Sequence, residues 1–217
     1  MNVSSGYRKR GFDAYGGAFL RKSDMAYWMD RPARTDPGGV AFELGDDVKE
    51  VEPGFFTLLP TISELWIVNP DCKVPMTEET EQLFQKNNVL IRGVYDAAAE
   101  RFARRYRLRF LHLDVELASV GDYFERGNDT ITLRFRADGS AYIHQDCRCQ
   151  GSSAGSIGGG ENSFDLPADF YRTMAAKDIA DECWGSCRSE ILNRGTLAAF
   201  LDAAKKKNGF LLDFSGK

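Results

Sequence analysis

Four of the five cysteines form the most chemically suggestive pattern in the sequence. They fall into two close pairs, which are Cys147 with Cys149 and Cys183 with Cys187. The first pair would share one face of a strand and the second one face of a helix, and four thiolates can hold zinc tetrahedrally. Because C-x-C and C-x-x-x-C are less typical of zinc sites than C-x-x-C, ordinary reduced and buried cysteines are the favoured interpretation. Zinc binding or thiol chemistry at this quartet is the alternative hypothesis.

The other reactive side chains do not form a recognisable catalytic pattern. His144 precedes Cys147 by three residues, so on a strand the two side chains point to opposite faces, which disfavours a nucleophile–base pair. The glycine-rich segment 151–160 lacks the Lys-Ser/Thr of a phosphate-binding loop, which favours a simple connection. The sequence therefore leans towards a non-enzymatic protein. An enzyme whose groups meet only in space is a further hypothesis, with the candidates Glu161, Asp165 and Asp181.

The charge balance of the chain disfavours nucleic acid as a partner. The formal net charge is −4, whereas proteins that bind phosphate backbones need clustered positive charge. The densest basic run is expected to be a solvated helix face, and it consists of Arg101, Arg104, Arg105, Arg107 and Arg109. A hydrophobic content of 43% with 28% charged residues indicates a folded chain rather than a disordered one.

The basic residues near the start of the chain are not followed by the apolar segment of a signal peptide. No apolar run approaches the roughly 18 residues that a membrane-spanning helix needs. We therefore expect a cytoplasmic protein without a membrane span. A secreted protein whose signal segment has been removed is the alternative.

A strand pattern recurs through the middle of the sequence. Residues 40–44 alternate between apolar and other side chains, and residues 65–67 and 89–91 repeat the pattern. Phe42, Leu65 and Val89 follow one another at intervals of about 23 residues, and a fixed period with one strand per period is typical of a solenoid. Thr77 and Asp96 are placed to cap two helices between and after these strands.

Residues 40–110 resemble the BspA-like leucine-rich repeat family of bacteria. The apolar positions of one repeat are in register with the family pattern, and they are Phe42, Leu44, Val48, Val51, Phe55, Phe56, Leu59, Ile62, Leu65 and Ile67. Gly45, Glu52 and Leu59 depart from that pattern without changing its apolar frame. Ile91-Arg92-Gly93, residues 99–104 and Leu108-Arg109-Phe110 are similar to the closing cap of such arrays, with Asp96 and Ala97 as departures. The resemblance implies a short solenoid-like layer that ends in a capping helix.

Solenoids of this kind commonly bind partners on the open face of their sheet. By the family register Leu65 and Ile67 face the core, so Trp66 lies on the other face of the sheet. An exposed tryptophan is typical of a protein interface. The resemblance therefore predicts an interaction face formed by Glu43, Trp66, Leu90 and Arg92. The alternative is that other parts of the chain cover Trp66, because so short an array needs covering surface.

Residues 116–217 are expected to form an α+β unit that resembles no family we recognise. Asp138-Gly139 is a hairpin signal between strands at 131–136 and 141–144, and residues 151–163 follow as a loop. A helix is predicted to begin at Pro167 and to bury Phe170, Met174 and Ile179. Thr196 is expected to cap a second helix that ends at Gly209, before a closing strand at 210–214. The inward positions of this second helix are Leu197, Phe200, Leu201 and Ala204.

These patterns together predict a mixed α/β chain. Its parts are an irregular arm at 1–38, whose aromatic side chains pack onto a neighbouring surface, a repeat-like segment at 39–115 and the α+β unit at 116–217. The expected function is a non-enzymatic protein–protein interaction module without a cofactor, whose partner is another protein. The alternative is a small zinc- or thiol-dependent protein centred on the cysteine quartet.

Overall fold

The computed structural model describes residues 19–22, 39–121, 128–136, 138–148, 159–183 and 187–216. These residues have the predicted mixed α/β character and divide into two compact units. Unit 1 comprises the described residues up to Leu113 together with those from Leu212 onward, and unit 2 comprises those from Asp114 to Leu211. None of the helices within the described ranges is long and apolar enough to cross a membrane.

Unit 1 is built on a sheet of largely parallel strands. The strands of unit 1 are β1 (Phe19–Leu20), β2 (Val40–Leu44), β3 (Glu50–Val51), β4 (Ile62–Ile67), β5 (Leu90–Gly93), β6 (Arg109–His112) and β11 (Leu212–Asp213). Strands β2, β4, β5 and β6 are parallel neighbours in chain order, and β11 is antiparallel beside β6. Strands β1 and β3 form a separate parallel pair. Most of the predicted arm at 1–38 lies outside the described residues. Phe19 belongs to the described part of the arm, and its side chain is 44% exposed rather than packed onto a neighbouring surface as predicted.

One apolar residue from each parallel strand lines up across the sheet of unit 1. The aligned residues are Phe42, Leu65, Ile91 and Phe110, and all four are buried. The prediction that Val89 follows Leu65 in this row was wrong, because the partner of Leu65 is Ile91. Val89 and Ile91 are both apolar and lie two residues apart, so a shift by two leaves the alternating pattern unchanged.

Two helices connect the parallel strands of unit 1, α1 (Glu78–Lys86) and α2 (Ala98–Arg105). Thr77 caps α1 as predicted, and its hydroxyl accepts a hydrogen bond from the backbone N–H of Thr80 at 3.3 Å. The prediction that Asp96 caps α2 was wrong, because Ala97 is the N-cap residue and no side chain caps this end. Asp96 instead adopts a left-handed backbone conformation, with φ of 52°, that turns the chain into the helix.

The core of unit 1 lies between the sheet and these connections. It contains a chain of edge-to-face aromatic contacts, with ring centroids 5.3 Å apart for Phe56 and Phe84 and 6.1 Å apart for Phe42 and Phe56. Gly93 lets α2 approach β5 closely, because a Cβ at this position would overlap the Cβ of Ala99 and lie 3.2 Å from a ring carbon of Phe110. The glycine of Ile91-Arg92-Gly93 therefore allows close packing between strand β5 and helix α2.

Unit 2 consists of an antiparallel sheet followed by helices. The strands are β7 (Asp114–Gly121), β8 (Asn128–Phe135), β9 (Ala141–Arg148) and β10 (Gly159–Leu166), in the order β10-β9-β8-β7. The helices are α3 (Phe170–Thr173), α4 (Ala176–Asp181), α5 (Cys187–Arg194) and α6 (Thr196–Lys206). The rings of Phe170, Phe200 and Phe135 surround Phe210 at centroid distances of 5.2, 5.1 and 5.0 Å, and this cluster joins the sheet to the helices.

Several predictions for unit 2 hold. Strands β8 and β9 pair as the expected antiparallel hairpin on either side of Gly139. Helix α6 buries the four predicted residues, although its N-cap is Gly195, with φ of 65°, and Thr196 is its first helical residue.

Three predictions for the C-terminal part were wrong. Residues 159–163 belong to β10 rather than to a loop, because pairing with β9 outweighs their low strand propensity. The single helix expected from Pro167 is two short helices, with Met174 and Ala175 extended between them. The closing strand is confined to Leu212–Asp213 and joins the sheet of unit 1 rather than the C-terminal unit.

Candidate interaction surfaces

The predicted interaction face of unit 1 is a compact network of polar side chains. The strand register places Glu43, Trp66 and Arg92 directly beside one another. The carboxylate of Glu64, on the same face, accepts a hydrogen bond from the indole Nε1 of Trp66 at 2.6 Å and forms an ion pair with Arg92. The guanidinium carbon of Arg92 lies 5.0 Å from the centroid of the Trp66 ring, which is the geometry of a cation–π contact.

This network is covered within the chain. Glu43, Trp66 and Arg92 are each 3% exposed, and only Leu90 among the predicted contact residues is partly exposed. The structure therefore agrees with the hypothesis in which Trp66 is covered rather than exposed. The contacts with the Glu64 carboxylate explain how the indole of Trp66 and the guanidinium of Arg92 tolerate this burial.

The structure separates two cysteines that the sequence placed on one helix. Cys183 follows the end of α4, whereas Cys187 begins α5, so the prediction that they share a helix face was wrong. Cys149 and the side chains of Cys147 and Cys187 lie outside what the structure describes. Burial raises the pKa of the Cys183 thiol to about 11, with Arg188 opposing the shift, so this thiol is protonated and weakly nucleophilic at neutral pH.

The described residues contain no metal-binding cluster, since no three His, Cys, Asp or Glu among them are arranged to hold an ion. Two of the three acidic candidates for a scattered active site have ion-pair partners. Asp165 pairs with Arg136, and Asp181 lies 3.9 Å from the guanidinium Nε of Arg188. Glu161 lies on β10 with Asp165, four residues away on the same face. These contacts are those of structural ion pairs.

The basic run of unit 1 is partly engaged in local contacts. Arg104 pairs with Glu100 at 3.1 Å and stacks its guanidinium 4.7 Å from the ring centroid of Phe214. Arg101 donates to the backbone oxygen of Asp96 at 2.9 Å. Arginines at the C-terminal end of α2 also complement the helix dipole, which accounts for their position.

An extended array of polar side chains lies on one face of the antiparallel sheet in unit 2. One row crosses all four strands, because Glu116, Thr132, His144 and Ser163 are successive cross-strand partners. The alternate residues of β8, Ile131, Leu133 and Phe135, are buried on the opposite face. Since Phe200 of α6 contacts Phe135, at 6.0 Å between centroids, the helix packs on that apolar face and leaves the polar one.

A second row on this polar face contains three charged side chains. Asp114, Arg134, Tyr142 and Asp165 are successive partners across the four strands. Arg136 places its guanidinium 5.0 Å from the ring centroid of Tyr142 and forms the ion pair with Asp165. The first row therefore combines a carboxylate, two hydroxyls and an imidazole, and the second combines charged side chains with the phenol of Tyr142.

Two side chains on this face have shifted proton affinities. Burial raises the pKa of Asp114 to about 6, although Arg134 opposes the shift, and the side chain is 5% exposed. Partial burial lowers the pKa of His144, with Arg134 acting in the same direction and Glu161 and Asp146 opposing it. His144 is therefore neutral at neutral pH, so its imidazole both donates and accepts hydrogen bonds.

The sequence contained a partial signal for this surface. Thr132, Arg134 and Arg136 alternate with buried residues as predicted, but β7 was not predicted at all. Residues 114–117 alternate between acidic and apolar side chains, as expected for a strand. The register shifts between Glu116 and Ala118, however, and this bulge breaks the two-residue period by which a strand is recognised in a sequence.

Comparisons with models of protein families, with curated proteins and with solved structures found no match for this chain.

Proposed function

We propose that this protein is a non-enzymatic protein-interaction module whose contact surface is the polar face of the sheet in unit 2. The observation that carries the proposal is the row formed by Glu116, Thr132, His144 and Ser163. Its two ends are exposed and its two central residues are half-buried. A pre-arranged row of hydrogen-bonding groups on rigid strands suits recognition of another protein surface.

Two arguments favour binding over catalysis at this face. No hydrogen bond among the described residues joins His144 to the hydroxyl of its neighbours Thr132 or Ser163, so this row does not show an activated nucleophile. The row also lies on a continuous sheet surface, whereas catalytic groups need a concave site that excludes water.

We further propose that unit 1 is a short leucine-rich-repeat-like layer of the BspA type and that it acts as a rigid support. Parallel strands in chain order, with Phe42, Leu65 and Ile91 aligned, support this relationship. Because the face containing Trp66 is covered, replacing Trp66 with Ala would report on stability as much as on binding. The support role therefore moves the expected contact surface from unit 1 to unit 2.

Affinity capture from an extract of the native host tests the contact surface. Thr132→Arg places a long charged side chain in the middle of the row, and Ala198→Arg adds the same side chain at an exposed position of α6. We expect wild type and Ala198→Arg to capture the same protein and Thr132→Arg to capture at least about tenfold less. Equal capture by all three folded proteins would refute the proposed surface.

A further inference from the structure

Strand β10 forms an outer edge of the sheet in unit 2, and it differs from the other sheet edges of the described structure. It pairs with β9 through eight consecutive residues without a register shift. In contrast, β7 at the opposite edge contains the bulge near Glu116, and β2 at the edge of unit 1 shifts register between Val40 and Ala41. Strand β11 offers only two residues. Bulges and short strands protect edges from pairing, and β10 has neither protection.

The outer side of β10 has no strand beside it in the described part of the chain. Glu161, Ser163 and Asp165 alternate along the strand and are all exposed. The other described residues therefore leave these side chains uncovered. Alternate backbone N–H and C=O groups of an edge strand point outward, and they can hydrogen-bond to an added strand.

The charges on β10 determine which added strand fits. In an antiparallel pair of two β10 strands centred on Ser163, Glu161 of each copy would face Asp165 of the other, and like charges directly opposite are destabilising. Asp165 is already paired with Arg136, whereas Glu161 has no ion pair among the described residues. The edge therefore opposes a second copy of this chain and favours a strand with basic side chains.

We propose that the outer edge of β10 accepts an extended, basic segment of a partner protein as an additional strand of the sheet. This inference rests on the proposed function, because the edge borders the polar face of the same sheet. Backbone hydrogen bonds would supply affinity, and a lysine or arginine opposite Glu161 would supply selectivity.

The probe is a synthetic peptide of alternating Lys and Thr, titrated against the full chain and followed by the amide signals of residues 161–166. We expect saturable binding with shifts confined to β10 and its neighbours. Methylating alternate peptide nitrogens should abolish binding in one of the two alternations, because only one removes the N–H groups that face β10. Glu161→Lys should weaken binding at least about tenfold, whereas Asp202→Lys, an equal charge change on α6, should change it less than about twofold.

Three outcomes would overturn the inference: no binding, equal weakening by Glu161→Lys and Asp202→Lys, or a dimer of the chain in sedimentation that loses its interface in Glu161→Lys. If the peptide fails while Thr132→Arg still abolishes capture of a partner, the edge assignment falls and the proposed function stands. If capture and peptide binding are both absent, both proposals fall.

Discussion

At the scale of single residues, close contacts and shifted charges identify positions that the fold depends on. Gly93 is one of them, since β5 and α2 meet where only a hydrogen atom fits. Asp114 is another, because a carboxylate at the start of β7 is buried beside Arg134. Each position leads to a prediction about stability.

Gly93→Ala should destabilise unit 1 by about 2–3 kcal/mol, because the added methyl group must displace Ala99 or Phe110 in a packed core. Urea denaturation measures the effect. The control is Gly139→Ala, whose Cβ would meet nothing within 4 Å but whose backbone, with φ of 85°, disfavours Ala by about 1 kcal/mol. A loss at Gly93 no larger than that at Gly139 would contradict this account, because Gly93 is not among the glycines with positive φ and only the contact with α2 is expected to cost stability there.

Asp114→Asn should make the protein more stable than wild type at high pH and not at low pH. The folded-state pKa of Asp114 is about 6 and its ordinary value is 3.8, so the folded state holds the proton more tightly than the unfolded state. Wild-type stability contributed by this group is therefore present below pH 3.8 and is lost as the pH rises towards 6. The loss is on the order of 2–3 kcal/mol. Parallel pH profiles of the free energy of unfolding for the two proteins would contradict this account.

At the scale of elements, the stability of each helix or strand depends on its cap, its buried face and its exposed edge. Helix α1 has a complete N-terminal cap from Thr77, whereas α2 begins without one and depends on the burial of Ala99 and Ala103. The two helices should therefore respond differently to changes at their first residues.

Thr77→Ala should lower the free energy of unfolding by about 1 kcal/mol, because the backbone N–H of Thr80 loses its acceptor. Thr77→Ser retains the hydroxyl and should cost much less. Asp96→Gly is the comparison for α2, because glycine removes the side chain and tolerates a φ of 52°. A loss similar to that of Thr77→Ala would indicate a capping role for the Asp96 side chain, which the structure does not show.

The elements that the sequence predicted are those whose own residues determine them. The strand at Val40–Leu44, the cap at Thr77 and the inward face of α6 follow from local periodicity and capping chemistry. Strand β10 depends on β9, and the choice between Val89 and Ile91 depends on the neighbouring strand, so neither was visible locally. The candidate surface was half predicted for the same reason: β8 and β9 showed their alternation, but the strands at either side of them did not.

At the scale of the whole molecule, the chain leaves unit 1 after β6, forms unit 2, and returns to unit 1 for β11. Phe210 and Phe214 lie four residues apart on opposite sides of this return. Phe210 packs in the aromatic cluster of unit 2, and Phe214 packs against the core of unit 1.

Phe214→Ala and Phe210→Ala should therefore destabilise different units. Hydrogen exchange of backbone amides measures this, since local loss of packing lowers protection in the affected unit. We expect Phe214→Ala to reduce protection in β6 and Phe210→Ala to reduce it in β8. Loss of protection in both strands for either variant would mean that the units unfold together.

The return of β11 has a consequence for the order of folding. Leu212 pairs with Phe110, so the sheet of unit 1 is completed only after about 100 intervening residues have been synthesised. Closing so long a loop in an unfolded chain costs entropy that grows with the logarithm of its length. Once unit 2 has folded, most of that loop is already ordered, and the last pairing becomes an event between short free segments. Folding of unit 2 before this pairing would therefore shorten the loop that β11 has to close to cover the edge of β6.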